Sequence, residues 1–491
     1  MIAAPSHRGY ARERNNPVIV AAVTALLLVI GSTGLFLAGL YDALVYVAIA
    51  IFSVVAFAAP LRWGLASLIC FAGVAGILKD IAAYAPIAHL GNDIVFGSLL
   101  IGYVARSATR MQPLLSDFPY RRVVGFLFIV ALFCTFLPIT HPLVALGGWK
   151  GYVLPALLVP IGYAAFQEKG SSYPVVAALL VTGIGNAVAG LTEQNLGPEV
   201  IGTWGPGFVH NIAAFTFAFD ASNHVVWRPF GLSADAGGAA GLEAVAAAIL
   251  VYLAFGRRQL LQVLAGAGAL LCALAAVNSG VRTAVVMIII GTVGAIIMRG
   301  ARKRSSLFVG LLAVAVIGAT LFFLLQGAPV VIQSRLGGLL TADTYSTQRG
   351  AVYVLIIDAF RKYPVGIGMG TVTPGAEILS GLAGVRVDAA ASENMLLAML
   401  YELGWFGAIF TFALLFSVGR VVKGYLTQAT IDREGGLASI VLLTVLVSGF
   451  SSPVLIAEPA NLIVWIFAAL AAVRAEQYRA GRAGPAQPET G

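Results

Sequence analysis

Long apolar runs dominate the chain and alternate with short polar segments. Fourteen runs are centred near residues 28, 51, 71, 101, 131, 158, 181, 247, 268, 291, 316, 406, 446 and 467. A bilayer core about 30 Å thick requires about 20 apolar residues per helix, so most runs are long enough to cross it. The run from Leu65 to Leu78 is short and charged at its end, which is compatible with a re-entrant segment. The pattern predicts an all-α polytopic membrane protein with about 12–14 transmembrane helices.

The basic residues are distributed unevenly between the two sides of this arrangement. With the N-terminus in the cytoplasm, 21 of the 30 Lys and Arg residues fall on the cytoplasmic side. The remaining nine lie mostly in or beside the two longest loops, on the opposite side. Membrane proteins carry an excess of Lys and Arg in their cytoplasmic loops. The bias therefore predicts that both termini are cytoplasmic and that the number of spans is even.

Two long outer loops interrupt the apolar runs, and loops of this length commonly carry function. In the second, Val352, Leu355, Ile356 and Phe360 recur at near-helical spacing within 347–362. We expect an amphipathic helix lying on the membrane, ended by Pro364. The predicted division is a cytoplasmic segment at 1–16, N-terminal transmembrane helices at 17–190, an outer loop at 191–235, central transmembrane helices at 236–326, a large outer loop at 327–392, C-terminal transmembrane helices at 393–475 and a cytoplasmic tail at 476–491.

Composition excludes several classes of protein. Hydrophobic residues make up 59% of the 491 positions and charged residues 11%, against about 25% charged in a typical soluble domain. The mean hydropathy of +0.92 extends over the whole length, which also excludes a soluble enzyme with a single anchor. The net charge of +8 follows the membrane topology, and no nucleic-acid partner is expected. Cys70, Cys134 and Cys272 lie inside apolar runs and are expected to be buried thiols.

Three arginines stand on the outer side, each beside a membrane segment. Arg228 precedes one span, Arg282 begins another, and Arg349 opens the amphipathic helix. A guanidinium group can donate two parallel hydrogen bonds to phosphate oxygens, so converging arginines could bind a diphosphate at the lipid surface. Pairing with lipid headgroups or with nearby acids is the alternative for each of them.

Two acids and one amide at and near the start of a late span are the other candidates. Glu393 and Asn394 follow Ser392, a candidate N-cap. A carboxylate at this position can act as a general base on a sugar hydroxyl, although the helix dipole alone also favours an acid there. Glu402 lies roughly 13 Å further along the helix, on nearly the opposite face. We expect Glu402 to be a structural partner of an inward-facing polar group.

Other motifs favour structural interpretations. The sequence GIGMG at 366–370 lacks the strand, helix and acid of a dinucleotide site, and is better explained as turn glycines. The sequence GIGNAVAG at 183–190 is typical of close helix packing. His141, His210 and His224 do not have metal-ligand spacing, so no metal site is predicted.

Four segments, in order, resemble the O-antigen ligase and polymerase superfamily of bacterial envelope glycosyltransferases, and the resemblance spans roughly residues 123–418. RPFGLSADAGGAAGLEA resembles the family's Arg-x-x-Gly segment before a span, and NSGVRTAVVMIIIG its Ser-Arg segment. RGAVYVLIIDAFRKYPVGIGMG resembles an Arg-led helix followed by Pro-x-Gly-x-Gly. SENMLLAMLYELGWFG resembles the His-Asn-x-x-Leu segment that ends in Glu-x-Gly.

The resemblance implies a lipid-carrier-dependent (GT-C-like) glycosyltransferase of the bacterial inner membrane, with its active face and both large loops in the periplasm. Arg228 and Arg282 would bind the diphosphate of an undecaprenyl-linked donor, with Arg349 as a third contact and Asn394 also at the substrate. The glycan would be transferred to a sugar hydroxyl with inversion, and no cofactor or metal is expected. The expected partners are the lipid-linked glycan, its acceptor, membrane lipid and a chain-length regulator.

Glu393 occupies the position where ligases of this family carry a histidine, and this difference bears on the function. The glutamate could serve as the catalytic base, and it favours polymerisation of lipid-linked repeat units over ligation to lipid A core. Ligation remains the nearest alternative. A transporter of lipid-linked glycans has a similar number of helices, but its polar residues would concentrate near the midplane. A structural membrane component is less favoured, because it gives the outer arginines no role.

Overall fold

The computed structural model describes residues 41–109, 118, 120–137, 141–213, 218–219, 225–255, 259–300, 350–373, 394–426, 432–450, 452, 454–455 and 457–482. In chain order, the helices are α1 (Tyr41–Ala58), α2 (Leu61–Ile81), α3 (Pro86–Thr109), α4 (Arg121–Thr135), α5 (Pro142–Ala165), α6 (Tyr173–Gly202), α7 (Pro206–Asn211), α8 (Ala236–Ala254), α9 (Gln259–Asn278), α10 (Arg282–Gly300), α11 (Gly350–Lys362), α12 (Met395–Leu426), α13 (Arg433–Ser448) and α14 (Ala460–Arg482). Strands β1 (Ala218–Phe219) and β2 (Val225–Val226) pair antiparallel, with Ala218 opposite Val226.

The protein is an all-α, multi-pass membrane protein. In the described ranges, eight helices are long and apolar enough to cross a membrane, namely α2, α3, α5, α6, α8, α9, α12 and α14, and shorter apolar helices occur at Ala43–Ala58 and Arg282–Met298. Twelve of the fourteen predicted centres fall inside helices, and those near residues 28 and 316 lie outside the described residues. The segment considered as re-entrant belongs to α2, a continuous helix of 21 residues.

Small residues allow the central helices to approach closely. A Cβ on Gly183 of α6 would lie 2.3 Å from the Cβ of Ala246 on α8, which confirms that GIGNAVAG is a packing motif. A Cβ on Gly291 of α10 would lie 2.6 Å both from Ala248 on α8 and from Thr444 on α13. Lipid tails are as apolar as a leucine side chain, so close packing of small residues holds membrane helices together. These contacts join α6, α8, α10 and α13 into one bundle.

The helix directions bring several termini to one end of the bundle. Tyr252, near the end of α8, donates a hydrogen bond to the carbonyl of Arg433 at the start of α13, so these helices run antiparallel. At the opposite end, the backbone N–H of Met395 donates to the carbonyl of Gly449. We call the first end the Arg420 end, because the C-terminal part of α12, which includes Arg420, lies there. The second, the Arg282 end, carries the N-termini of α8, α10 and α12 and the C-terminus of α13.

Two helices extend past predicted topological boundaries, and one predicted surface differs from the structure. Helix α6 continues past the boundary predicted at residue 190 and ends at Gly202, with a break at Gly197, and α14 extends beyond residue 475. In α11, side chains expected to face lipid instead pack against the protein core: Val352, Leu355 and Ile356. Phe360 of the same predicted face is 47% exposed. Periodicity identifies an apolar face but not which surface covers it.

Candidate active site

The segment that carries Arg228 is held in place by a buried carboxylate of α6. Glu193 is 3% exposed, and its Oε2 accepts hydrogen bonds from the backbone N–H groups of Phe230 and Gly231, both at 2.9 Å. Phe230 is fully buried and packs with Ile201. These bonds fix the backbone two and three residues after Arg228.

Asn186 of α6 provides a second attachment for the same segment. Its Oδ1 accepts hydrogen bonds from the N–H of Leu232 at 3.0 Å and from the hydroxyl of Ser233 at 3.1 Å. Its Nδ2 donates to the carbonyl of Thr182 within α6. Sequence reasoning missed the roles of both Asn186 and Glu193. The available signal was a polar side chain within the small-residue run GIGNAVAG, because a buried amide requires partners.

Arg228 reaches from this segment to the turn that precedes Arg282. Its Nε donates to the carbonyl of Ser279 at 3.1 Å. Ser279 is buried, and its hydroxyl accepts from the N–H of Val281 in the turn between α9 and α10. Arg282 follows as the first residue of α10 and is half-buried. The segments of both predicted arginines therefore meet at the Arg282 end.

The Arg228 guanidinium group is partly removed from water. Burial lowers its pKa, and the nearby carboxylate of Asp235 opposes this effect. Because the pKa of an arginine begins above about 12, the group keeps its positive charge at neutral pH. Asp235 is the N-cap of α8, where its Oδ1 accepts from the N–H of Gly238 at 2.8 Å. A partly desolvated cation interacts more strongly with an approaching anion than a fully hydrated one does.

The start of α12 is fixed by Asn394. Its Oδ1 accepts from the N–H groups of Leu396 and Leu397, at 2.9 and 3.1 Å, so Asn394 is the N-cap. Its Nδ2 donates to the carbonyl of Phe450 at 2.8 Å, and the side chain is buried. Ser392, the predicted cap, lies outside the described residues. The side chain of Asn394 thus hydrogen-bonds only to backbone groups among these contacts. The bonds fix the position of the residue that directly follows Glu393.

Glu402 fixes the glycine-rich loop that follows α11. The carboxylate is fully buried, and it accepts from the N–H of Gly370 at 2.8 Å, the N–H of Val372 at 2.7 Å and the hydroxyl of Thr373 at 2.9 Å. Gly370 has a φ of 87°. The expected structural role of Glu402 agrees with these contacts, and the GIGMG segment is a turn packed within the protein.

The predicted site residues are only partly covered by the structure. Arg228, Arg282 and Asn394 are described, and the elements that carry them meet at the Arg282 end. Arg349 and Glu393 lie outside the described residues, although α11 begins directly after Arg349 and α12 begins two residues after Glu393. Their convergence with the other two arginines remains a prediction.

Part of the chain is similar to a known protein family. Residues 267–412 match the family model described as O-antigen ligase. The match runs from α9 into α12 and includes the positions of Arg282, Arg349, Glu393 and Asn394, whereas Arg228 lies before it. No curated protein matches the chain significantly.

Proposed function

We propose that the chain polymerises undecaprenyl-diphosphate-linked oligosaccharide repeat units, since residues 267–412 match the O-antigen ligase family model and the sequence resembles the O-antigen ligase and polymerase superfamily. The reaction would take place at the periplasmic face of the bacterial inner membrane and produce O-antigen, capsule or exopolysaccharide. The observation that carries this proposal is the contact between Arg228 and the turn before Arg282, which gathers two cations at one end of the bundle. The positive-inside bias assigns that end to the periplasm.

The arginines act on the leaving group. Arg228, Arg282 and Arg349 bind the diphosphate oxygens of the donor, and their charge stabilises the negative charge that develops as the sugar–phosphate bond breaks. Glu193 and Asn186 take part indirectly, because they hold the backbone that carries Arg228. The arginines thus supply the positive charge that this proposal requires, without a metal or cofactor.

Glu393 acts on the acceptor. Its carboxylate takes the proton of an acceptor sugar hydroxyl while that oxygen forms a bond to the anomeric carbon of the donor. The bond from this carbon to the phosphate oxygen breaks, and undecaprenyl diphosphate leaves. A single displacement inverts the anomeric configuration. Asn394 caps α12 directly after Glu393 and serves to position it.

Ligation to lipid A core is the second candidate. The matched family is described as O-antigen ligase, which favours ligation. The glutamate at position 393, where the ligases carry histidine, favours polymerisation. The donor and the arginine chemistry are the same in both reactions, so the two functions differ in the acceptor. A chain-length regulator is proposed as a partner only for the polymerase.

The lipid-linked glycan profile of a deletion strain tests the proposal. The strain is complemented with wild type, Arg282→Ala, Arg228→Lys or Glu393→Gln, and membrane abundance is measured for each variant. Arg361→Ala is the matched control, since Arg361 is an exposed arginine on α11. Loss of a preorganised donor at the leaving group is expected to slow transfer about 100-fold or more. Arg228→Lys keeps the charge and removes the bidentate geometry.

The identity of the accumulating intermediate distinguishes the candidates. Single repeat units on the lipid carrier, at normal protein abundance, support polymerisation and the three assignments. Full-length polymer retained on the carrier would show that ligation is the function. A wild-type profile in all three variants would show that the site is elsewhere.

A further inference from the structure

A cavity, which we call the Arg420 cavity, lies at the opposite end of the bundle from the proposed active site. It has a volume of about 990 Å³ and is formed where the start of α4 meets the last turns of α12. The two helices run antiparallel, since Phe133 near the end of α4 contacts Phe406 in the first half of α12, with ring centroids 6.1 Å apart. The cavity is therefore at the Arg420 end, which the positive-inside bias assigns to the cytoplasm.

Three arginines line this cavity. Arg121 and Arg122 reach it from the first turn of α4, and Arg420 reaches it from α12. All three side chains are exposed. The N-terminus of α4, a helix of 15 residues, adds its partial positive charge beside Arg121. This chemistry fits phosphate oxygens.

The remaining wall of the cavity is apolar and continues along the lipid-facing surface. Phe126 and Ile129 of α4 line it, and Ile129 is 67% exposed. On α12, Phe416 is 66% exposed and lies under the guanidinium group of Arg420, 5.8 Å from it. Gly125 also lines the cavity, and a Cβ there would meet no atom within 4 Å. The cavity thus offers space for an acyl chain directly beneath the cationic groups.

We propose that this cavity is a binding site for an anionic phospholipid of the cytoplasmic leaflet. The phosphate groups would pair with Arg121, Arg122 and Arg420, and an acyl chain would lie against Phe126 and Ile129. Basic pockets between transmembrane helices on the cytoplasmic side are suited to acidic headgroups such as that of cardiolipin. Binding here requires no glycosyl transfer, so the proposal is independent of the proposed function.

Native mass spectrometry of the full-length protein tests the site. Cardiolipin, phosphatidylglycerol or phosphatidylcholine is titrated into delipidated protein in detergent, and bound adducts are counted. We expect wild type to prefer the two anionic lipids. Replacing Arg121, Arg122 and Arg420 together with Gln should weaken cardiolipin binding roughly 100-fold, since each basic side chain contributes about fivefold. Gly125→Leu should also reduce binding, because a Cβ there meets no protein atom within 4 Å and the longer side chain would extend into the acyl space.

Two matched controls separate the site from general charge and from helix changes. Replacing Lys169, Arg433 and Arg479 with Gln removes the same charge from exposed positions outside the cavity. Gly97→Leu alters another helical glycine that has open space around it. Both controls should bind cardiolipin as wild type does.

Three outcomes would overturn the proposal. The first is equal retention of phosphatidylcholine and cardiolipin by wild type. The second is equal loss of binding in the cavity variants and the controls, or no loss in either. The third comes from a parallel titration with inorganic phosphate: if it displaces cardiolipin at equal concentration, the site recognises free phosphate instead of a lipid. Thermal unfolding of each variant is recorded, so that only folded protein is compared.

Discussion

At the scale of single residues, buried carboxylates hold the loops of the candidate site. Glu193 binds the backbone beside Arg228, and Glu402 binds the loop after α11. In both cases the carboxyl oxygens accept hydrogen bonds from buried backbone N–H groups. A buried N–H group that loses its acceptor costs about 1–3 kcal/mol. Single acids can therefore determine the position of a whole segment.

Glu193→Leu tests this role. The substitution leaves the N–H groups of Phe230 and Gly231 without an acceptor, so we expect the free energy of unfolding to fall by about 2–4 kcal/mol. Glu193→Gln should retain most of the stability, because both bonds end on one oxygen and an amide oxygen can accept both. Thermal unfolding in detergent measures the effect.

Glu199→Leu is the control for that experiment, since Glu199 lies on the same helix and is exposed. Equal melting temperatures for Glu193→Leu and wild type would contradict the positioning role. Equal destabilisation by Glu193→Leu and Glu199→Leu would contradict it as well.

At the scale of elements, the loop after α11 is packed between two helices. Its Gly370 faces α5, where a Cβ would lie 1.9 Å from the carbonyl oxygen of Val144. On its other side, the N–H of Trp405 in α12 donates to the carbonyl of Pro364 at 2.9 Å. Trp405 also stacks on Phe360 of α11, with ring centroids 5.4 Å apart. The loop thus joins α5, α11 and α12, and its glycines are required by close approach.

Gly370→Ala is expected to destabilise the protein by about 2 kcal/mol or more, because the methyl group overlaps a backbone atom and the φ of 87° is unfavourable for alanine. Gly266→Ala on α9 is the matched control, since a Cβ there meets nothing within 4 Å. The control should be neutral or stabilise the helix by up to about 1 kcal/mol. Thermal unfolding compares the two, and similar melting temperatures would show that the loop tolerates a side chain.

At the scale of the whole molecule, charge and packing give the two ends of the bundle different properties. The Arg420 end carries the buried ion pair between Arg474 and Glu434, at 2.5 Å, together with the three arginines of the Arg420 cavity. The Arg282 end carries the turn that Arg228 contacts and the N-terminus of α12. The positive-inside rule predicts that the first end lies in the cytoplasm and the second in the periplasm.

Cysteine labelling checks this orientation. In a background where Cys70, Cys134 and Cys272 are replaced by Ala, new cysteines are introduced at exposed positions of the two ends. Glu199→Cys and Arg361→Cys should react with a membrane-impermeant maleimide in intact spheroplasts. Lys169→Cys and Arg479→Cys should react only after lysis. The reverse pattern would invert the topology and move the proposed site to the cytoplasm.

The sequence by itself determined the class of the protein and the position of most helices. Whether a segment enters a membrane depends mainly on its own transfer free energy, so local composition is sufficient. The sequence also predicts Arg228 and Arg282 as site residues, because a cation beside a span on the predicted outer side is unusual and the segments around them resemble a known family. Arg282 begins α10 and the segment of Arg228 precedes α8, and both helices coincide with local apolar runs.

Only the tertiary structure decided which polar groups hold the site. Glu193 binds a backbone 37 residues away, Asn186 one 46 residues away, and Glu402 a loop 32 residues before it. The hydrogen bond from Asn394 to the carbonyl of Phe450 and the core-facing side of α11 are likewise consequences of neighbouring elements. A hydrogen bond depends on distance and direction in space, whereas hydropathy depends on neighbours along the chain. Partners that are remote in sequence therefore leave no periodic signal.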